Sequence, residues 1–274
     1  MCKLKSGIVL KNRVFVPEYD SHTEMLEELG IEDNYLGASK TFVRVELSPT
    51  DGDVFSDIDT WKLNVDQDIM PEWYDEDIYK PQVVKGVKEW AKDHIHIGVD
   101  NLKISTGRNH YIKDCKGVNL YGNATVENIC GKATVENICG SATVKYIYDN
   151  ATVEYIHGNA TVETICDKAT VENICGSATV KYIYDNATVE YIHGNATVEN
   201  IYGSATVEYI HGKATVENIC DKATVKKAKG LSVIFGNQFG WDKKDLLTLE
   251  ENATFKDCQT KTIYQSGDWK FVKV

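Results

Sequence analysis

The sequence predicts a mainly β chain: a β-solenoid of nonapeptide repeats with about 18 residues per coil, an α+β domain before it and a small β-rich cap after it. Three observations predict this. From Asn123 to Gly230 the chain reads in nines, beginning NATVENICG, KATVENICG, SATVKYIYD, NATVEYIHG and ending in a decayed KATVKKAKG. Within the unit, Ala at position 2, Val at position 4 and Ile at position 7 hardly change, whereas positions 1, 6 and 8 vary among polar, aromatic and sulfur side chains. Third, the 27 residues from Lys132 to Gly158 recur unchanged from Lys168 to Gly194, 36 residues further on.

Residues 1–103 lack the period and read as an α+β domain. SGIVLKNRVFV reads as two short strands around Lys11-Asn12. SHTEMLEELG reads as a helix with Ser21 as N-cap, Glu24 as its capping-box partner and Gly30 as terminator. TFVRVELS alternates like a half-buried strand, WKLNVDQD is its expected neighbour, and PQVVKGVKEWAKDHI reads as a second amphipathic helix beginning after Pro81. The acidic stretch DQDIMPEWYDEDIYKP, with Trp73 and Tyr74 between carboxylates, is this domain's most distinctive surface candidate.

Residues 104–230 are the expected solenoid, with regular repeats over 123–230. Ala-Thr-Val followed by a tripeptide such as Tyr-Ile-Tyr favours strand over helix, and Gly-Asn, Gly-Ser or Asp-Asn closes each unit as a turn. Ala, Val and Ile are the expected interior. One nonapeptide is too short to circle a core. A duplication offset of 36 residues adds two whole coils if the coil is 18 residues and leaves every side-chain ladder in register. The regular repeats then make about six coils, roughly 30 Å long at the ~4.8 Å spacing of neighbouring strands. DCKGVNLYG and STGRNHYIK, just upstream, read as degraded units, and residues 231–274 as a cap with strand-like pieces at QTKTIYQ and WKFVKV.

The same phase sorts the surface into two sides. On odd-numbered units position 5 alternates in sign, from Glu127 and Lys145 onward; on even-numbered units it reads Glu136, Glu154, Glu172, Glu190, Glu208 and only then Lys226. The even side is thus an acidic stripe, either drift on a solvated face relieved by Lys132, Lys168 and Lys222, or a carboxylate array for a basic protein surface, a cation or imitation of a nucleic-acid backbone. Positions 6 and 8 point outward beside it, so Tyr155, Tyr191 and Tyr209 and His157, His193 and His211 are expected to form Tyr and His ladders, with Tyr148, Tyr184 and Tyr202 stacking on the odd side. Such ladders stabilise a solenoid by themselves and also suit protein recognition. Cys139, His157, Cys175, His193 and His211 share one column, but a vertical column offers no tetrahedral closure for zinc, and no metal is expected.

Composition narrows the function classes. A net charge of −11 over 274 residues supplies no basic footprint, so direct nucleic-acid binding is not expected and a partner with a basic surface is. No window of about 18 apolar residues exists and the first residues break early into charge, which reads as a cytoplasmic protein without a membrane segment. Of the eight cysteines, five (Cys130, Cys139, Cys166, Cys175, Cys220) occupy position 8 of the repeat, so copying rather than pairing produced them and they read as thiols. For chemistry, Cys2 becomes an N-terminal nucleophile if Met1 is removed, with its own amine as base, but no partner set can be assigned around it. His22 reads as a first-turn helix residue. The pairs Asp57/Asp59 and Asp66/Asp68 suit a cation, yet neither completes a calcium loop. With no phosphate-cradling Gly loop and no nucleophile elbow, no cofactor is expected.

The layout of MCKLKSGIVLKNRVFVPEYDSHTEMLEELGI and DIDTWKLNVDQDIMPEWY, then AKDHI and a run of NATVEYIHG units, resembles uncharacterised proteins of phages and prophages of gut bacteria. The resemblance covers most of the chain and implies a mobile-element origin and variable repeat number; it carries no activity and no site residues. The repeats are also loosely similar to pentapeptide-repeat proteins, some of which imitate DNA, but with a period of nine instead of five. The expected function is a non-enzymatic binding or scaffold protein, cytoplasmic in the bacterial host, which presents the acidic Tyr/His-rich face to a host protein, in the manner of a counter-defence inhibitor or DNA mimic. A small enzyme or nucleotide-handling module using Cys2, and a self-assembling β-helical element, are the alternatives.

Overall fold

A computed structural model describes residues 4–236, 247–265 and 272–273. The chain divides into two compact units, 1–95 and 96–274, each with its own core.

The first unit is built on an antiparallel sheet of β1 (Lys5–Leu10), β2 (Arg13–Phe15), β3 (Phe42–Ser48) and β4 (Lys62–Val65) in the order β2-β1-β3-β4. The expected Lys11-Asn12 turn joins β1 to β2, because the apolar residues on either side alternate in phase. Helix α1 (His22–Glu28) starts where predicted: the Ser21 hydroxyl accepts from the Glu24 amide at 3.3 Å. It stops at Gly30, whose φ of +67° lets Gly30 N–H reach Glu27 O and Ile31 N–H reach Leu26 O, satisfying the last carbonyls. Met25 and Leu26 of α1 pack with Ile8 and Phe42 on one face of the sheet.

Two features depart from the sequence reading. Residues 35–40 (YLGASK) form a second short helix, α2 (Tyr35–Lys40), started by the Asn34 side chain accepting from Gly37 N–H at 2.8 Å. Helix α3 (Glu76–His94) begins before Pro81, not after it. Asp75 is its N-cap, Glu76 and Asp77 complement the dipole of the first turn, and the one bond Pro81 forfeits is to the exposed carbonyl of Asp77.

The second unit is the expected β-solenoid, with 18 residues from each strand to its parallel neighbour. Odd-numbered repeats fill one sheet and even-numbered repeats the other. Every repeat contributes one five- or six-residue strand, such as Thr134–Ile138 in the even sheet and Thr143–Ile147 in the odd sheet. The two expected strand segments of a unit are therefore one strand with a bend: pairing runs Val135↔Val153 and then Asn137↔Tyr155, skipping position 5, so positions 5 and 6 both face outward. Ala, Val and Ile at positions 2, 4 and 7 form the core at 0–1% exposure through the regular coils. The degraded units upstream still stack: Val118–Leu120 pairs with Thr134–Ile138, and His110–Lys113 with Thr125–Cys130. Ile95–Ile97, upstream of residue 104, already belongs to the odd sheet. Downstream, Val233–Gly236 and Thr254–Asp257 continue it in parallel, and only Thr262–Gln265 and Val272–Lys273 turn antiparallel. About 8 coils result, against the six expected from the regular repeats, because apolar residues in the right phase suffice to stack even where the motif has decayed.

Position 9 forms the corner and lies in the left-handed region on both sides. The even column is glycine, with φ from +65° to +75° between Gly140 and Gly230. The odd column carries Asp149, Asp167, Asp185 and Asp221 at φ of +56° to +59°. There the carboxylate compensates: Asp149 Oδ2 accepts Gly131 N–H at 3.0 Å, and Asp221 Oδ2 accepts Gly203 N–H at 3.2 Å, each tying one coil to the preceding one.

Candidate functional site

The even sheet carries the candidate surface. Because Thr134↔Thr152, Thr152↔Thr170, Thr170↔Thr188 and Thr188↔Thr206 pair in unbroken register, Glu136, Glu154, Glu172, Glu190 and Glu208 stand in one column. Its two ends are engaged: Asn119 Nδ2 donates to Glu136 at 2.9 Å, and Lys226 pairs with Glu208 at 2.6 Å. Tyr191 donates its hydroxyl to Glu190, which raises the phenol's pKa. Glu154 and Glu172 are exposed and make no ion pair among the described residues. Lys132 and Lys168 do not reach the stripe as ion-pair partners, so the expected relief from these two lysines is absent among the described residues.

The aromatic residues form pairs instead of the continuous ladders expected from sequence. Tyr191 stacks on Tyr209 at 5.3 Å and 14°, and His193 on His211 at 4.8 Å and 4°. Tyr155 and His157 meet each other edge to face at 6.4 Å but are cut off from the stacks by Asn173 and Cys175 in the intervening coil. On the odd side Tyr184 stacks on Tyr202 at 4.9 Å, while Cys166 stands between Tyr148 and that pair. Tyr155 and Tyr209 are 43% and 38% exposed and offer the largest apolar contacts on the even side. Burial lowers the pKa of both His193 and His211, and for His211 the neighbouring His193 and Lys229 lower it further.

Sequence reasoning missed the polar end of this face. Asn137 Nδ2 donates to Asn119 Oδ1 at 2.8 Å, and His157 Nε2 lies 3.3 Å from Asn137 Oδ1. These residues, with Lys103, Tyr121 and Glu136, line an open groove of about 740 Å³. Asn119 lies in a degraded unit, so its place in the ladder was invisible without the strand register.

The remaining candidates resolve differently. Trp73 and Tyr74 are half-buried: Trp73 Nε1 donates to Lys40 O at 2.7 Å, and Tyr74 stacks on Tyr79 at 5.8 Å, with burial pushing its phenol up to about 12. Asp57 caps a turn at Ile58–Thr60 and Asp59 pairs with Lys88 at 2.6 Å, which accounts for that carboxylate pair structurally. Cys2 lies outside the described residues. The described cysteines are free thiols. In the position-8 columns Cys139 and Cys175, like Cys130 and Cys166, are separated by a His or Tyr, hence by two coils or about 9–10 Å, too far for a disulfide. Burial raises the thiols of Cys130 and Cys166 to about 11. The Cys/His column does not gather three ligands; among the described residues the clusters that do are His22/Glu46/Asp66 and Cys166/Asp167/Asp185. No helix of the described residues is long and apolar enough to cross a membrane. No protein-family model, curated protein or solved structure matches the chain.

Proposed function

We propose that this solenoid is a non-enzymatic binding scaffold whose even sheet recognises a protein with a basic surface. The observation that carries the reading is the single-register column Glu136 to Glu208 on a rigid parallel sheet, flanked by exposed Tyr155 and Tyr209. Like charges on adjacent strands each cost a few tenths to about 1 kcal/mol. A cationic partner turns that repulsion into attraction, steers its own approach and seats its apolar stems on the tyrosines. A protein partner suits the column better than duplex mimicry does: the carboxylates repeat at about 4.8 Å in one row, whereas a duplex carries a charge every ~3.4 Å along each of two strands. The resemblance to proteins of phages and prophages supports a bacterial host cytoplasm as the setting and a host protein as the target.

Capture from lysate of a gut bacterium tests this, with the full chain and a variant in which Glu136, Glu154, Glu172, Glu190 and Glu208 are all Gln as the two baits. A protein with a basic surface held by the first bait and lost by the second is the expected result. Equal retention on both baits overturns the role of the column.

A further inference from the structure

We propose that His22, Glu46 and Asp66 form a binding site for one divalent transition-metal cation, zinc foremost, in the first unit. Their ligand atoms all lie within 4.8 Å of one another. Glu46 sits in the middle of β3, between Ser6 of β1 and Asn64 of β4, and is 6% exposed. Its carboxylate has no hydrogen-bond or ion-pair partner among the described residues. A buried ionised carboxylate is costly unless an opposite charge reaches it. Arg44, two residues along the same face, does not supply that charge: it is paired with Asp33 and lies over the Phe42 ring. Lys5 belongs to the opposite face, where it pairs with Asp20.

His22 and Asp66 are aimed by the fold. The Ser21 cap fixes His22 as the first residue of α1, and its Nε2–H donates to Val45 O at 3.1 Å. That bond sets the tautomer and leaves the Nδ1 lone pair facing Asp66 Oδ2 at 3.3 Å, two acceptors in apposition. Asp66 is held by its N–H on Arg44 O at 2.9 Å. The next side chain, Gln67, accepts from Arg44 N–H at 2.9 Å and donates to Ala38 O and Phe42 O, both at 3.2 Å, locking the segment to β3. The 3.3 Å separation matches the edge of a tetrahedron with bonds of roughly 2.1 Å, about 3.4 Å. One imidazole with two carboxylates suits zinc, with manganese or ferrous iron next, over calcium or magnesium. Asp66, 60% exposed, leaves an open side for entry and for water in the remaining positions.

The competing occupant is a proton on His22. Full-length protein stripped with a chelator is titrated with Zn²⁺ alone, and separately with Mn²⁺, by calorimetry and thermal melting, beside Glu46→Gln and Asp66→Asn. Because the cysteines of the solenoid also attract zinc, the readout is the difference from wild type. Asp66→Asn is expected to lose one equivalent or weaken it at least about tenfold, since loss of outer-shell partners alone costs 10–100-fold. Glu46→Gln is expected to raise the melting temperature of the metal-free protein and remove the rise that metal produces. Unchanged equivalents and affinity in Asp66→Asn overturn the site, and this exposed substitution decides alone should Glu46→Gln fail to fold. A wild type whose melting ignores both metals overturns it equally.

Discussion

At the scale of single residues, the corner of each coil shows how two side chains meet one backbone demand. Gly176 adopts a φ of +65°, and an added Cβ would stand 3.0 Å from the Gly158 nitrogen. Gly176→Ala is expected to cost about 1–3 kcal/mol in denaturant unfolding, the usual penalty for a left-handed non-glycine residue. Gly176→Asp is expected to cost less, because a carboxylate there can take the N–H of the preceding coil as Asp149 does on the odd side. The core is plainer: Ile174 is fully buried, and Ile174→Ala is expected to lose about 2–5 kcal/mol by the same measurement. His193 and His211 add a pH dependence. Their folded-state pKa values lie below the ordinary one, so the unfolded chain binds more protons on acidification. Their contribution is complete above about pH 6.5 and is lost as pH falls through that value toward the depressed folded pKa. The melting temperature is expected to fall between pH 7.5 and 5.5, and a His193→Gln/His211→Gln variant to flatten that slope. Of these features, the Ala, Val and Ile columns were readable from the repeat itself. The His22–Glu46–Asp66 cluster was not: His22 and Asp66 are each some 20 residues from Glu46, and only the β-sheet register and the Gln67 anchor bring them together.

At the scale of elements, register governs. Every even repeat rests on an even repeat, so removing two units (residues 150–167) leaves each strand in its own sheet. Removing one unit (residues 150–158) forces every downstream strand, Val233–Gly236 included, into the other sheet. Thermal melting is expected to show the one-unit deletion as the less stable, although it removes half as many residues. The five-Gln variant of the even column is expected to be more stable than wild type at low salt, by on the order of 1–3 kcal/mol, with the gain shrinking near 1 M salt. Sequence found the strands and α1 because each carried a period or a cap. It missed α2, whose six residues include a glycine and are too short to show helical periodicity, and it misplaced the start of α3 by giving Pro81 the first position when Asp75 already held the cap.

For the whole molecule, the two-sheet coil makes surface composition a matter of counting: which face a side chain joins depends on the parity of its repeat. That is why the acidic column, the Tyr and His stacks and the polar groove gather on one sheet, whereas the alternating ladder represented by Lys145 and Glu127, 3.3 Å apart, gathers on the other. The coil length and the two faces were legible because duplication had copied them; the extra coils at either end were not, because their sequences keep only the apolar phase. The most direct measurement compares, in one lysate, capture by wild type, by the even-column Gln variant, and by an odd-sheet variant with Glu127, Glu163, Glu199 and Glu217 changed to Gln. Recognition by the even sheet predicts that the partner stays on wild type and the odd-sheet variant and is lost from the even one. Equal loss from both variants would make net charge, not the ordered column, the determinant and would contradict the proposed site.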